Sequence, residues 1–251
     1  MRLSSPFRPE GEHIGIDLPG GRALFTTRRG GTSQGAFESL NLGLWTQDDP
    51  ERVAANRERL AALMGVPRER LAHGRQVHGA TVRRLFTPPD PAAEPAEADG
   101  QATGEPRVAP LVLVADCLPI ALAGQGAVAM VHAGWRGLAA GVVEEGVAAV
   151  RELGAVGRLE AAIGPGAGDC CYRVGGEVLA RFDRHPEAVR PDGDGSRLDL
   201  KAIAASRLLA AGVDAVHDSG VCTICSEPAL FFSHRRDGER TGRQAGAVRR
   251  L

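Results

Sequence analysis

Two short apolar runs, Leu111 to Ala115 and Ala127 to Val131, each end on residues that can do chemistry. Ala-Asp-Cys at 115–117 closes the first and His-Ala-Gly-Trp-Arg-Gly at 132–137 closes the second. Strand ends are where α/β proteins place their sites. If the runs are neighbouring central strands joined by a turn containing Gly124 and Gly126, Cys117 and His132 approach one another. A thiolate beside an imidazole supports joint ligation of a borderline metal such as zinc, or a Cys-His nucleophile pair. His78, within Gln-Val-His-Gly on an apolar segment, offers a second imidazole. One such histidine is more often a core group bonded to backbone than a ligand. The intervals of thirty-eight and fourteen residues between the three positions match no compact metal motif. Residue type and spacing therefore leave both chemistries open.

The elements that would position these groups follow from periodicity and punctuation. A helix is expected from Asp49 to Met64, with an Asp pair at its start, Pro50 in its first turn and Gly65 at its end. Strand character runs from Gln76 to Phe86, and the stretch Thr87 to Arg107, rich in Pro, Ala and Glu, reads as an exposed loop. After the two central runs come a helix over Leu138–Leu153, a strand over Leu159–Ile163, and helices over Val174–Arg184 and Leu198–Ala211. Strands are expected at Ala215–His217, Leu230–Ser233 and Gly246–Val248. With no internal repeat and no linker, this alternation predicts a single mixed α/β domain over residues 1–251.

Composition removes several classes. The formal net charge is −1, so no basic face for phosphate-backbone binding is expected and nucleic acid is not a predicted partner. No window approaches eighteen apolar residues, and Met1–Glu10 has no apolar segment of signal-peptide length, so a cytoplasmic, membrane-free monomer is the expectation. The five cysteines lack the even spacing of a disulfide framework. Cys170-Cys171 and the lone C-x-x-C of Cys222 and Cys225 read as buried free thiols, since a zinc ribbon would want two such C-x-x-C pairs. Gly164-Pro165-Gly166 lacks the Lys-Ser/Thr ending of a phosphate loop, and Arg235-Arg236-Asp237-Gly238 reads as a polar turn.

The strings QVHGATV, ADG, ADCLPI, HAGWRG, AIGPGAGDCCYRVGGEV and FFSHRRDGERTGRQA, in that order, closely resemble the YfiH-like family of bacterial purine nucleoside phosphorylases. The likeness runs from about Leu24 to Val248, and the family was earlier described as laccase-like polyphenol oxidases and as peptidoglycan editing factors. It implies zinc bound by His78, Cys117 and His132, and a layered α/β sandwich with mixed β-sheets between helices. It further implies phosphorolysis of adenosine, inosine and methylthioadenosine, with adenosine deamination. Three protein ligands leave zinc a fourth position, where the pKa of water falls to about 7, and this suits attack at the purine carbon bearing the amino group.

Phosphorolysis also needs a bound phosphate and a stabilised leaving base. Arg136, four residues after His132, and Arg57 are the guanidinium candidates. Asn41, in Ser-Leu-Asn-Leu-Gly, is a candidate for the ribose or base, and Asp116 for proton transfer or orientation of a ligand. At Leu44-Trp45-Thr46-Gln47 the sequence departs from the family's wording, which puts a substrate contact there in doubt.

Three rivals stand beside this reading. Seven histidines without a His-x-His string do not furnish a multicopper centre, although two histidines and a cysteine can hold one copper and give phenol oxidation as a side reaction. A Cys-His hydrolase would use Cys117 as nucleophile and His132 as base, on a substrate such as a peptidoglycan precursor. A binding protein with a structural metal would need a fourth protein ligand. A cytidine-type zinc deaminase is not expected, since Pro-Cys-x-x-Cys does not occur: the lone C-x-x-C, Cys222 to Cys225, follows Val221.

Overall fold

The computed structural model describes residues 2–251. The segment before the first expected helix folds as an antiparallel meander of β1 (Arg8–Glu10), β2 (His13–Leu18) and β3 (Gly21–Phe25). In β2, Ile14, Ile16 and Leu18 alternate onto the buried face, the period-two pattern of a sheet with one face on a core. Helix α1 (Pro50–Met64) matches the expected span. Asp49 caps it by accepting the Glu51 N–H at 2.9 Å, Pro50 fits the first turn, and Gly65 ends it at φ 65°. Its apolar stripe of Val53, Leu60, Ala61 and Met64 is buried.

Six strands follow: β4 (Leu71–Ala72), β5 (Val82–Leu85), β6 (Gly100–Thr103), β7 (Ala109–Val114), β8 (Leu118–Gln125) and β9 (Ala127–Ala133). The strand expected from Gln76 is confined to β5, because the chain first turns through His78 at φ 61°. The expected loop 87–107 contains β6, entirely buried and paired with β5 on one side and β9 on the other. Its small and polar residues carry little hydrophobic signal, so its place is set by pairing.

The central runs also differ from expectation. Leu111–Ala115 and Ala127–Val131 are not neighbours in one sheet. The stretch between them, expected to be a turn, is β8, which pairs with β9 in a hairpin closed at Gln125-Gly126. Gly124 sits inside that ladder opposite Ala127, and Gly126 alone takes the left-handed backbone, φ 105°, that the tight reversal requires. β7 belongs to the opposing sheet.

The chain continues through α2 (Trp135–Ala140) and α3 (Val142–Glu152), one expected helix broken at Gly141, where φ is 100°. Then come β10 (Val156–Ile163), β11 (Arg173–Val174), the four-residue α4 (Gly176–Leu179), β12 (Val189–Asp192), β13 (Gly195–Leu198) and α5 (Leu200–Ala210). Most of the helix expected over Val174–Arg184 is therefore turn. β14 (Ala215–Asp218), α6 (His234–Asp237) and β15 (Gln244–Arg250) complete the order, while Leu230–Ser233, an expected strand, is irregular and leads into the cap of α6.

Two mixed six-stranded sheets result, ordered β1-β2-β3-β15-β7-β4 and β14-β10-β8-β9-β6-β5, with a small β11-β13-β12 sheet beside them. Phe25, Val112, Val114, Val128, Met130 and Val248 fill the layer between the large sheets. The outer face of the first packs on α1 through Leu24, Leu60 and Leu111, and that of the second on α3 and α5 through Val131, Val147 and Ile203. Each fully buried aliphatic or aromatic side chain is worth about 1.5–3 kcal/mol of transfer free energy. The fold is thus the expected helix-sheet-sheet-helix sandwich. Among the described residues no helix is long and apolar enough to cross a membrane.

Candidate metal centre

β8 and β9 bring the first two ligands together by register. Leu118 pairs with Ala133 and Pro119 with His132, so Cys117, just before β8, lies beside the end of β9. His78 comes from the turn preceding β5. Ligand atoms of His78, Cys117 and His132 all lie within 4.8 Å of one another, and the two imidazole rings stand 4.9 Å apart at 73°. Gly134 makes this approach possible. A Cβ there would lie 2.9 Å from Cys117 Sγ and 3.2 Å from His78 Cδ2.

Asp99, a residue that sequence reasoning passed over although it stands in the quoted Ala-Asp-Gly string, organises the centre. Its carboxylate is wholly buried and accepts N–H bonds from Val77 at 3.2 Å, His78 at 2.9 Å and Gly79 at 2.7 Å. Three successive backbone donors around one carboxylate form a nest that holds His78 in its uncommon left-handed conformation. The same carboxylate lies 2.8 Å from His132 Nδ1, which leaves Nε2 for the metal side. Burial opposes its ionisation, but the His132 contact and the backbone donors outweigh that and hold its pKa below the usual carboxylate value.

The electrostatics favour an anionic ligand set. Burial resists the Cys117 thiolate, yet His132 and His78 bring its pKa down to about 6. Burial likewise resists protonation of His132, but Cys117 and Asp99 push it up to about 9. Thiolate and imidazolium stabilise each other here, and a divalent cation held by these residues would substitute for the shared positive charge. One thiolate and two imidazoles suit zinc, and the carboxylate-histidine relay is the support such ligands ordinarily have.

The three residues line a cavity of about 340 Å³, within the range of small-molecule sites. Trp45, Thr46, Gln76, His234 and Arg243 also border it. Gln76 is fixed by a two-way amide pairing with the Leu113 backbone, both bonds 2.8 Å. Arg243 is a further residue missed in the sequence, though it lies in the quoted C-terminal string. Its pKa is lowered by burial despite the nearby Cys117 and Asp116, and no carboxylate salt-bridges it among the described residues. Trp45 and Thr46 come from the loop where the sequence departs from family wording.

The other expected site residues lie differently. Asn41 is fully buried; its amide binds Thr46 and Asp48 at 2.9 Å and its carbonyl accepts from Gly43 and Arg243 N–H groups. It shapes the loop and does not line the cavity. Arg57 is also buried, donates to the Leu42 carbonyl at 3.2 Å and borders a separate cavity of about 350 Å³ with His73 and Arg83. Burial, with Arg68 adding to it, lowers its pKa to about 10. Arg136 is exposed with its guanidinium 4.2 Å above the Trp135 ring. Asp116, at φ 90°, turns its carboxylate away to Thr223 Oγ1 at 2.6 Å, Ser233 Oγ at 3.0 Å and Arg235 N–H at 2.7 Å.

The cysteines read as buried thiols are not all buried. Cys170 and Cys225 are exposed, Cys171 and Cys222 partly so, and their four sulfurs lie within 4.8 Å of one another.

The class defined by the fold and site is a two-sheet α/β sandwich with a His-Cys-His cluster that could hold a metal ion, and comparison gives the family. The chain belongs to the family described as multi-copper polyphenol oxidoreductase laccase, which it matches over residues 22–250. It is 43% identical over 236 residues to a purine nucleoside phosphorylase of Pseudomonas aeruginosa, covering 90% of this chain and 92% of that one. It is 40% identical over 249 residues to the purine nucleoside phosphorylase YlmD of Geobacillus stearothermophilus, covering 92% and 90%. The crystal structure of that YlmD superposes with a TM-score of 0.88 at 38% identity, over 97% of this chain and 98% of the other. The Bacillus licheniformis protein YfiH superposes at 0.90 with 30% identity, over 99% and 100%.

Proposed function

We propose that this chain is a zinc-dependent purine nucleoside enzyme. It cleaves adenosine, inosine and methylthioadenosine with phosphate, giving free base and ribose or methylthioribose 1-phosphate, and it deaminates adenosine to inosine. The observation that carries this reading is the convergence of His78, Cys117 and His132 beside Arg243 and His234 in one cavity. The names of the relatives, purine nucleoside phosphorylases, supply the substrate class.

Zinc held by these three ligands would supply Lewis acidity at its open position. The chain's own groups do the rest. Asp99 fixes the His132 tautomer and the His78 turn. In phosphorolysis a phosphate oxygen bonds to the ribose anomeric carbon as the bond to the purine nitrogen breaks, and the electron pair leaves with the base, which takes up a proton. Arg243 is placed to bind the phosphate and His234 to deliver that proton. The exposed indole of Trp45 offers the purine an aromatic face at the rim. Deamination consumes one water at the carbon bearing the amino group and releases ammonia. Asp116 holds the wall behind Cys117, and Arg136 lies outside as a surface guanidinium that draws anions toward the site.

Elemental analysis of untagged protein, with chromatography of adenosine products in the presence and absence of phosphate, tests this. Wild type is expected to give phosphate-dependent adenine and phosphate-independent inosine, and Cys117→Ala neither. The absence of both metal and purine turnover would overturn it. The depressed thiol of Cys117 beside His132 favours one second reading, a Cys-His hydrolase. In that case metal-free protein would lose activity on alkylation of Cys117. Copper in the same donor set, with phenol oxidation, would show in the same elemental analysis.

A further inference from the structure

A separate cluster of four cysteines lies beside the segments that hold Asp116. Cys170 and Cys171 sit in the loop between β10 and β11, and Cys222 and Cys225 in the irregular segment after β14. All four Sγ atoms lie within 4.8 Å of one another, with Cys170 and Cys225 3.5 Å apart. A tetrahedral zinc with Zn–S bonds of about 2.3 Å spaces its sulfurs by about 3.8 Å. The backbone around Cys222 is built for thiolate. The Gly168 N–H points at Cys222 Sγ from 3.3 Å, and the N–H groups of Ile224 and Cys225 point at the same sulfur. Sequence separates the two pairs by some fifty residues, but Gly166 bridges to Cys222, and Thr223 N–H donates to the Gly166 carbonyl at 3.0 Å.

We propose that Cys170, Cys171, Cys222 and Cys225 form a tetrathiolate site for a structural, thiophilic divalent cation, zinc foremost. Both segments that it joins also hold Asp116. Ala167 N–H donates to the Asp116 carbonyl at 2.7 Å, and Thr223 Oγ1 to its carboxylate at 2.6 Å. Asp116 directly precedes Cys117, so the cluster fastens the wall that carries the His-Cys-His centre. The segments themselves have little regular structure and much exposed surface, conditions in which a metal replaces a missing core. The four protein ligands close the coordination shell, which separates this structural role from the open three-ligand centre. Lys201 steadies the approach to Cys222 through the Val221 carbonyl at 3.0 Å and Asp218 at 2.8 Å.

The test uses the full-length protein purified under reducing conditions and loaded with zinc or cobalt(II) alone. Wild type is expected to hold about two zinc per chain, one in each cluster. Cys117→Ala keeps the metal of the tetrathiolate, and Cys170→Ser with Cys225→Ser loses it while the other stays. Because that double variant could fail to fold, the cobalt spectrum of wild type and of Cys117→Ala gives an independent readout. A cysteine-only site produces intense visible bands and strong thiolate charge transfer, and these are expected to survive in Cys117→Ala. One metal per chain, with no tetrathiolate bands in Cys117→Ala, overturns the proposal. So does mass mapping that finds a disulfide among these cysteines in protein kept from air.

Discussion

Replacing Asp99 with asparagine changes one atom in a fully buried group and leaves its size unchanged. Oδ1 accepts from the His78 N–H and contacts His132 Nδ1; Oδ2 accepts from the Val77 and Gly79 N–H groups. Whichever way the amide is turned, its NH₂ group faces two of these donors. In one orientation the turn at His78 loses two hydrogen bonds, those that the Val77 and Gly79 N–H groups donate to Oδ2. In the other, His132 is driven to the tautomer that carries its proton on Nε2, the nitrogen the metal needs. Hydrogen bonds to a charged group are worth about 1.5–3 kcal/mol each, so two losses come to about 3–6 kcal/mol before relaxation. His78 is exposed and its turn can give way, which places the expected loss of stability near the lower figure, about 3 kcal/mol. Zinc affinity is expected to fall about 10–100-fold, the usual cost of removing a group that orients a ligating histidine. Denaturant unfolding of metal-free protein measures the first quantity, and competition with a chromogenic chelator the second. An Asp99→Asn variant that binds zinc as tightly as wild type and unfolds at the same denaturant concentration would refute the reasoning.

Gly134→Ala places a methyl 2.9 Å from Cys117 Sγ and 3.2 Å from His78 Cδ2, so at least about a tenfold loss in zinc affinity is expected with secondary structure intact by circular dichroism. Arg243→Ala is expected to raise the KM for phosphate and leave zinc content unchanged; an unaltered phosphate KM in steady-state kinetics would remove this residue from the site. His73, held at a pKa of about 4 by burial and the neighbouring Arg57 charge, gives an acid-sensitive term. Below about pH 6.5 the unfolded chain binds a proton that the folded chain refuses until about pH 4, so stability falls as pH drops through that window. Between pH 7 and pH 5 the loss is about 1–2 kcal/mol, and His73→Gln should flatten that part of the stability–pH curve measured by denaturant melts.

What could be read from the chain alone was whatever short stretches encode locally. Helix α1 was legible because its cap, its Pro50 and its terminal Gly65 lie within one continuous segment, and each acts on its immediate neighbours. The residues of the candidate metal centre were legible as motifs, since the strings around His78, Cys117 and His132 are distinctive, although their spacing carried no geometry. β6 and β8 were not legible. β6 has small and polar residues that become strand only between β5 and β9, and the Gly-rich end of β8 outweighed an apolar run that the hairpin buries.

The opposite placement of β7 and β9 was likewise a tertiary outcome, because period-two patterning says which face is buried and not which sheet a strand joins. Asp99 was invisible as an organiser for the same reason: four donors from two distant segments meet its carboxylate only after the sheets are assembled. The four outlying cysteines looked like two unrelated pairs until the loop after β10 and the segment after β14 were brought side by side. Sequence thus determined which reactive groups the chain carries and where its one long capped helix begins and ends. Tertiary structure decided which of those groups meet, since contacts between residues far apart in sequence depend on the free energy of the whole packed arrangement and leave no local trace.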